Sequence, residues 1–508
     1  MTSISSTASL KQTNSQWKWF FLVAAIFLSL NFLTVTRYPS VWVDEIQFAD
    51  PAVNLATGHG FTSTAWFGQG AHEFFAGNVP LYSLVLSVWL KIWGVSPVAV
   101  RSLNFLLVIM LCAVLWDFAE KSGLIGSTRW RVAFISLVMC GHCVMFSYRM
   151  GRYDVLGMIL FSLAARAWIA KTNTVQFAGL FLAGTYMPWT GLQLLPAAVV
   201  TCGVLLLFRL RDSFWKGLSL GSGIATGGVF LFFLYRSHNV WDAFRASTSG
   251  IGTIGGSLAS KLARLPGSYS HDKSGLLLLV ACLVVLCSCL FSRNLGQLKF
   301  LLGVAVLAVA LPAALQLAGK FPVYYGWMTF LPLSLGLAHT LEQKKNLNGG
   351  IRAFALCAVL LAATVGLPLR LLAIGARWNE HDAQAVSELT RRNVRQGDVV
   401  IGDFKTYYAL KQTAKEVYLP TYLDAITPDE RKSVTLMILR PEDVKRAGAL
   451  LSEGTWTESR ESPPSLLVKA NPLDRICREF QEEEYSVTIF RREASNSAAS
   501  PMVLSFTK

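Results

Sequence analysis

The stretch PLYSLVLSVWLKIW, residues 80–93, decides how the chain is arranged relative to a membrane. It is apolar, yet Ser83, Ser87 and Lys91 recur every four residues and therefore share one face of a helix. Fourteen residues extend only ~21 Å as a helix, which is less than the ~30 Å of a bilayer core. We therefore predict an interfacial helix that lies on the membrane rather than a span.

The composition of the whole chain is that of a polytopic membrane protein. Of its 508 residues, 53% are hydrophobic and 15% are charged, whereas soluble domains are about a quarter charged. The apolar runs predict about eleven spanning helices. These runs cover residues 19–35, 98–119, 132–146, 155–170, 175–187, 192–208, 218–235, 275–291, 298–317, 324–338 and 353–372.

The basic residues test the assignment of residues 80–93 to the membrane surface. Cytoplasmic loops carry an excess of Lys and Arg. With the N-terminus inside and no span at residues 80–93, nearly every basic cluster lies in the cytoplasm, and a span there would place the later clusters outside. We therefore assign the net charge of +15 to orientation and not to nucleic-acid binding. The inner clusters are Lys11/Lys18, Lys121/Arg129/Arg131, Lys171, Arg209/Arg211/Lys216, Arg293/Lys299 and Lys344/Lys345/Arg352.

The predicted fold class is mainly α, in three regions. Residues 1–17 are Ser/Thr-rich and predict a disordered cytoplasmic N-terminus. Residues 18–375 predict a membrane helical bundle with interfacial helices in its first outer loop, and residues 376–508, which are more charged, predict a small extracytoplasmic α/β domain. In that domain a helix is expected at residues 383–394, with strands at residues 398–404, 433–439 and 486–490.

An acidic pair, Asp44-Glu45, directly follows the first predicted span and therefore lies on the outer face. One explanation is structural, because residues 46–56 look helical and acids favour helix N-termini. The other is catalytic: one carboxylate acts as a general base that deprotonates an acceptor hydroxyl, while its neighbour binds the acceptor or a metal ion.

A second polar cluster, residues 148–154, returns to the same face about a hundred residues later. Its arginines could snorkel to lipid headgroups. Alternatively, Arg149 and Arg152 bind phosphate bidentately, and Asp154 holds a metal or orients an arginine. A divalent metal ion at Asp44 and Asp154 is compatible with this pattern, although the sequence does not require one. Neutralising a departing phosphate would be the main electrostatic task of such a site.

The first outer loop carries two further polar candidates, His72 and Glu73, which are either substrate-binding or simply surface residues. No H-E-x-x-H pattern accompanies them. Arg101 lies near the outer end of its helix, where a charge is costly and predicts a partner, and an acid in the loop above is expected to provide it.

Lys320, Tyr324 and Tyr325 begin another helix on the outer face. They form either an aromatic belt with a snorkelling lysine or a contact to the donor phosphate or sugar. A glycine-rich segment, residues 250–256, matches G-x-G-x-x-G by letter. It lacks the preceding strand and the βαβ unit that dinucleotide binding requires, so we expect no nucleotide cofactor.

Taken in order, four of these motifs resemble the membrane glycosyltransferases of the C-type (GT-C) fold, in the protein O-mannosyltransferase-like branch that includes the lipid A aminoarabinose transferase. The resemblance covers about the first 240 residues and rests on the order and spacing of the motifs. They are VWVDE at residues 41–45, the amphipathic stretch at residues 80–94, GVSPVAVR at residues 94–101 and SYRMGRYD at residues 147–154.

The resemblance implies a polyprenyl-phosphate-linked sugar donor, no nucleotide sugar, and transfer to a lipid, glycan or protein acceptor on the extracytoplasmic face of the plasma (inner) membrane. It implies that Asp44 is the catalytic carboxylate, with Glu45 beside it and Asp154 as the second acidic site residue. Two other classes stay open: a transporter or lipid flippase, and a non-catalytic envelope-assembly partner. Transporters place charges near the bilayer midplane, whereas the charges here gather at one rim.

Overall fold

Helices make up most of the chain in the computed structural model. The structure describes residues 4–66, 68–208, 210–250, 256–318, 325–343, 347–376, 378, 383–462 and 486–493. The helices that precede the sheet are α1 (Ile4–Leu33), α2 (Val43–Ala56), α3 (Leu81–Trp93), α4 (Pro97–Lys121), α5 (Thr128–Cys140), α6 (His142–Arg149), α7 (Asp154–Trp168), α8 (Asn173–Thr190), α9 (Leu194–Phe208), α10 (Leu210–Ser237), α11 (Trp241–Gly250), α12 (Leu258–Ala263), α13 (Leu265–His271), α14 (Lys273–Phe291), α15 (Leu295–Leu317), α16 (Trp327–Glu342), α17 (Gly349–Val365) and α18 (Leu367–Ala376).

Five of these helices, α1, α4, α10, α14 and α15, contain stretches long and apolar enough to cross a membrane. The bent pairs α5/α6 and α17/α18 raise the number to as many as seven within the described part of the chain. Each predicted span overlaps a helix or a bent pair, but the predicted count of eleven is not confirmed. The remaining four, α7, α8, α9 and α16, are too short or too polar to count as spans by themselves.

Helix α3 matches the predicted interfacial segment in length, and it is too short to cross a bilayer core. Its serine stripe faces inward: Ser83 is buried, and its Oγ donates to the carbonyl of Phe48 in α2 at 3.0 Å. Lys91 of the predicted polar stripe is exposed, and the exposed side also carries Val88, Ile92 and Trp93. This largely apolar outward face is compatible with a helix that lies against lipid.

The first helix begins earlier than the sequence predicts. Helix α1 starts at Ile4, inside the segment for which the sequence predicts a disordered terminus through residue 17. Ser and Thr lower helix propensity by less than about 1 kcal/mol each. Because extending a helix is much easier than nucleating one, the apolar part of α1 can carry the helix back into this segment.

A five-stranded sheet follows the last apolar helix, in the order β2-β1-β3-β5-β4. Strands β1, β2 and β3 are parallel, and β5 pairs antiparallel with both β3 and β4. The elements of this part are α19 (Ala383–Asn393), β1 (Val399–Gly402), α20 (Tyr407–Thr413), β2 (Glu416–Tyr418), α21 (Pro428–Ser433), β3 (Leu436–Leu439), α22 (Pro441–Val444), α23 (Gly448–Leu451), β4 (Trp456–Glu461) and β5 (Val487–Arg492).

The predicted helix and the three predicted strands of this sheet domain coincide with α19, β1, β3 and β5. Alternate residues of β1 and β3 enter two different hydrophobic clusters, so both faces of the sheet are covered. Strands β2 and β4 were not predicted. The first has only three residues, and the second is a largely exposed edge strand without apolar alternation.

Helix α20 of the sheet domain packs against α2 and joins the two parts of the protein. Tyr407 donates its hydroxyl to Asp50 at 2.6 Å, and Lys411 donates to Asn54 at 2.7 Å. Tyr408, on the same helix, reaches the carboxylate of Glu45 at 3.0 Å. All three contacts fall on α2, so the orientation of the helix that carries Asp44 is set partly by the C-terminal domain.

Candidate active site

Asp44 lies in the first turn of α2, where its side chain keeps 20% of its surface exposed. It is the one partly accessible acid of its cluster, because Glu45 and Asp154 are fully buried. Neither member of the acidic pair caps the helix, since the cap position is Trp42 and receives no side-chain hydrogen bond. Both acids do lie in the first turn, where they interact favourably with the helix dipole as the structural explanation expects, but neither caps the helix.

Arg152 bridges the two aspartates that the sequence assigns to one face. Its guanidinium donates to Asp154 Oδ2 through Nε at 2.8 Å and to Asp44 Oδ2 through a terminal nitrogen. The guanidinium is almost entirely buried. The structure brings together the two aspartates that the sequence places on one face, and Arg152 is the group that joins them.

The turn before Arg152 fixes this geometry. Gly151 has φ +62°, and a Cβ added there would lie 2.9 Å from Cγ of Glu45, so this backbone position suits glycine alone. The Gly151 carbonyl accepts from the Tyr82 hydroxyl at 3.0 Å, and Asn104 donates to the Arg152 carbonyl at 3.0 Å. Helices α3 and α4 thus hold the turn that carries the arginine.

Burial and pairing act in opposite directions on the charges of this cluster. Burial raises the pKa of the Asp44 carboxyl, and the charge and hydrogen bond of Arg152 offset only part of that effect. Burial alone would lower the pKa of Arg152, but Asp154 and Asp44 more than compensate, so its pKa is raised. Arg152 therefore remains cationic, whereas Asp44 is a stronger base than an ordinary exposed carboxylate.

Glu45 points away from Asp44 into a buried ion pair. Arg101 donates to Glu45 Oε2 at 2.6 and 3.2 Å, and Tyr408 donates to Oε1 at 3.0 Å. The prediction that an acid in the loop partners Arg101 is confirmed. Glu45 and Arg101 are enclosed and paired with protein groups, so their placement does not fit the predicted catalytic and substrate-binding roles.

Arg149 also lies inside the protein rather than at a surface. Its guanidinium donates to the side chain of Asn31 at 2.7 Å, to Thr34 O at 2.9 Å and to Tyr38 O at 2.7 Å. With 1% of its surface exposed, it neither snorkels nor presents a face to a substrate phosphate. The chain folds back after α1, so that the carbonyl oxygens of Thr34 and Tyr38 accept hydrogen bonds from this guanidinium. The sequence pattern could not predict this fold-back.

Tyr325 joins the Arg152 cluster, because its hydroxyl lies 3.1 Å from that of Tyr153. Burial, aided by Asp154, raises the pKa of Tyr325 to about 12, so the hydroxyl stays protonated and can donate a hydrogen bond. Tyr153 was not predicted as a site residue, although it stands between Arg152 and Asp154 in the sequence. Lys320, Tyr324 and residues 251–255 of the glycine-rich segment lie outside the described residues.

His72 and Glu73 are exposed and line a separate cavity of about 540 Å³ together with residues of the α10–α11 junction. Glu73 accepts a hydrogen bond from the backbone of Gly70 at 3.1 Å. Both residues therefore face a cavity, as a substrate-binding role would require, but they do not belong to the ion-pair cluster around Asp44.

The predicted metal position does not fit the residues around it. Asp154 Oδ1 is buried without a hydrogen-bond partner, which alone would suit a cation. However, Arg152 already joins the two carboxylates, and the described residues include no group of three or more His, Cys, Asp or Glu side chains that could hold a metal ion. No catalytic step is therefore derived through a metal.

No family model and no curated protein matches the sequence. Among solved structures, ArnT from Cupriavidus metallidurans bound to undecaprenyl phosphate aligns with a TM-score of 0.56 and 12% identity over 95% of this chain and 100% of that one. The arabinofuranosyltransferase AftD from Mycobacteria aligns with a TM-score of 0.47 and 16% identity over 95% of this chain and 40% of that one. The chain therefore has the GT-C fold, as the motifs predict.

Proposed function

We propose that the protein is an integral membrane glycosyltransferase that moves a sugar from a polyprenyl-phosphate-linked donor to an acceptor on the extracytoplasmic face. The observation that carries the proposal is the Asp44–Arg152–Asp154 cluster, in which only Asp44 keeps part of its surface open. The likeness to a GT-C protein bound to undecaprenyl phosphate supports a lipid phosphate as the leaving group.

In the proposed reaction, Asp44 accepts the proton of the acceptor hydroxyl as that oxygen attacks the anomeric carbon. The bond between this carbon and the phosphate oxygen breaks, and the polyprenyl phosphate leaves with the electron pair. Arg152 is buried and paired with both aspartates, so it is proposed to act on the departing phosphate through its fixed charge and not through direct contact. Tyr325, whose hydroxyl lies beside that of Tyr153, is proposed to offer a hydrogen-bond donor, and Lys320 is proposed to assist.

Glu45 and Arg101 are proposed as positioning residues. Their ion pair joins α2 to α4, and Tyr408 adds a link from α20 in the sheet domain. This arrangement fixes the first turn of α2 and thereby the direction of the Asp44 carboxylate. A base must lie within hydrogen-bond reach of the proton that it abstracts, so this fixation serves catalysis without contact to the substrate.

The transfer rate should depend on pH through Asp44. Burial raises the pKa of this carboxyl above its ordinary value of 3.8, and a general base acts only as the carboxylate. A plot of kcat/KM against pH should therefore fall, toward low pH, at a value above that of an ordinary carboxyl. Arg152→Gln removes the charge that lowers this pKa, so the fall should move to higher pH. The same profile in both proteins would contradict the assignment to Asp44.

The proposed function is tested by labelled-sugar transfer in membranes. Vesicles that contain the protein receive a radiolabelled lipid-linked sugar pool, and matched vesicles lack the protein. The proposal expects label to move from the lipid fraction into an acceptor only where the protein is present. Label that stays in the lipid fraction but changes sides of the membrane would instead support the flippase alternative.

A further inference from the structure

The cavity beside His72 and Glu73 is formed by two segments that are far apart in the sequence. The loop before α3 contributes Thr62, His72, Glu73 and Phe74, and the junction of α10 and α11 contributes His238 and Asn239. Its volume of about 540 Å³ lies within the range of small-ligand sites. None of these residues takes part in the ion-pair cluster around Asp44.

Hydrogen bonds and ring contacts hold the two walls together. Tyr235 at the end of α10 donates to the carbonyl of Asn78 at 2.7 Å, and Ser247 in α11 donates to the carbonyl of Gly77 at 2.7 Å. The His238 ring stacks on Phe74 with centroids 3.8 Å apart and planes 6° from parallel. The cavity is therefore preformed, which lowers the entropic cost of binding a ligand there.

The chemistry of the lining selects a class of ligand. Glu73 is the one acidic side chain of the lining, and no Lys or Arg lines the cavity, so a phosphate would find neither an ammonium nor a guanidinium partner there. Hydroxyl, amide, imidazole and carboxylate groups stand beside the rings of Phe61 and Phe74. Polar groups combined with apolar ring surface suit a neutral ligand that carries many hydroxyls and apolar C–H faces, which is a carbohydrate.

The same loop is fastened to the helix that carries Asp44. Ser63 and the backbone of Thr64 donate to Asp50 of α2 at 2.8 and 2.9 Å. Phe48, one turn after Asp44, contacts Trp66 of the loop at 5.9 Å between ring centroids. A ligand in the cavity is thus held by a segment whose position is fixed relative to the proposed base.

We propose that this cavity binds a neutral carbohydrate portion of the acceptor. The inference rests on the proposed glycosyltransferase function and adds the chemical class of the acceptor to it. The proposed function assigns the donor phosphate to the Arg152 cluster, and the cavity, which lies apart from that cluster, is assigned to the acceptor glycan.

The test separates the affinity for the acceptor from that for the donor. A neutral oligosaccharide fraction prepared from the host envelope is titrated at a fixed concentration of labelled lipid-linked sugar. His238→Ala and Glu73→Gln should each raise the KM for this fraction about tenfold, since each removes a polar or stacking contact. The kcat and the KM for the lipid donor should stay within about twofold of wild type, because the Asp44 cluster is untouched.

His59→Ala is the matched control. His59 is an exposed histidine in the same loop that contacts Thr57 and does not line the cavity, so its replacement should leave both KM values unchanged. If wild type transfers sugar while the two cavity variants keep its acceptor KM, or raise the donor KM instead, the inference is overturned and the proposed function stands.

Equilibrium dialysis of the same oligosaccharide fraction against the full-length protein, without donor, gives a result that does not depend on transfer. Retention by wild type and by His59→Ala, with loss in His238→Ala and Glu73→Gln, supports the carbohydrate site even if no transfer is observed. Equal retention by all four proteins, or retention by none, overturns it.

Discussion

Replacement of Asp44 by asparagine is expected to slow sugar transfer about 10²- to 10⁴-fold, the usual contribution of a general base. Asparagine keeps the size of the side chain and retains an oxygen that can accept from Arg152, but it cannot take a proton from the acceptor hydroxyl. Because Asp44 is partly exposed, the fold should tolerate the change. The measurement is the initial rate of label transfer in vesicles with equal amounts of each protein.

Asp429→Asn is the control for this change. The Asp429 side chain is 95% exposed in the sheet domain, where it pairs only with Lys432 across one helical turn. Such surface pairs contribute little to stability, so this variant should transfer sugar at the wild-type rate. If Asp429→Asn lost as much transfer as Asp44→Asn, the loss would come from differences between the protein preparations and not from removal of the general base.

Replacement of Arg101 by methionine is expected to lower the free energy of unfolding by about 3–5 kcal/mol, the typical cost of breaking a buried ion pair from one side. Arg101 and Glu45 are 1% and 0% exposed, so the variant leaves the carboxylate buried with only the Tyr408 hydroxyl as a partner. The measurement is thermal and denaturant unfolding of the purified protein in lipid nanodiscs.

The double variant Arg101→Met/Glu45→Met separates lost packing from an unpaired charge. Removing both charges should restore much of the stability lost in Arg101→Met, since apolar replacements of buried pairs are often tolerated. Arg392→Met, which removes an exposed pair with Glu388, should cost less than about 1 kcal/mol. If Arg101→Met behaved like Arg392→Met, the Glu45–Arg101 pair would not anchor α2.

The sequence could predict that Asp44 and Asp154 share a face, because charge bias and span length are properties of whole segments. Once residues 80–93 are kept out of the count of spans, both aspartates fall on one face. Arg101 was likewise expected to have an acidic partner, since a charge near a helix end is costly without one. Strands β1, β3 and β5 could be predicted because each coincides with a short apolar run in the sequence.

The directions of individual side chains could not be predicted in the same way. Successive side chains of a helix point about 100° apart. Asp44 is therefore partly exposed, whereas the adjacent Glu45 points into a buried ion pair with Arg101. Tyr408 reaches Glu45 from 363 positions away, a contact that no local pattern encodes. Arg149 was assigned to phosphate because its enclosure depends on how the chain after α1 folds back.

The predicted count of eleven spans is not confirmed, for a related reason. Helices such as α7 and α9 have 15 residues each, which is short for a bilayer core, and the bent pairs split one apolar run into two helices. Hydropathy reports that a segment is apolar, whereas its length, its breaks and its neighbours decide whether it crosses the membrane alone.

We propose that Asp44 deprotonates the acceptor hydroxyl while a polyprenyl phosphate departs. The most direct measurement follows both products in one reaction, labelled acceptor and free polyprenyl phosphate, for wild type and Asp44→Asn in matched vesicles. We expect equal molar amounts of both products from wild type and neither from Asp44→Asn at comparable times, although the variant still binds the lipid donor. Wild-type levels of both products from Asp44→Asn, or labelled acceptor without released lipid phosphate, would contradict it.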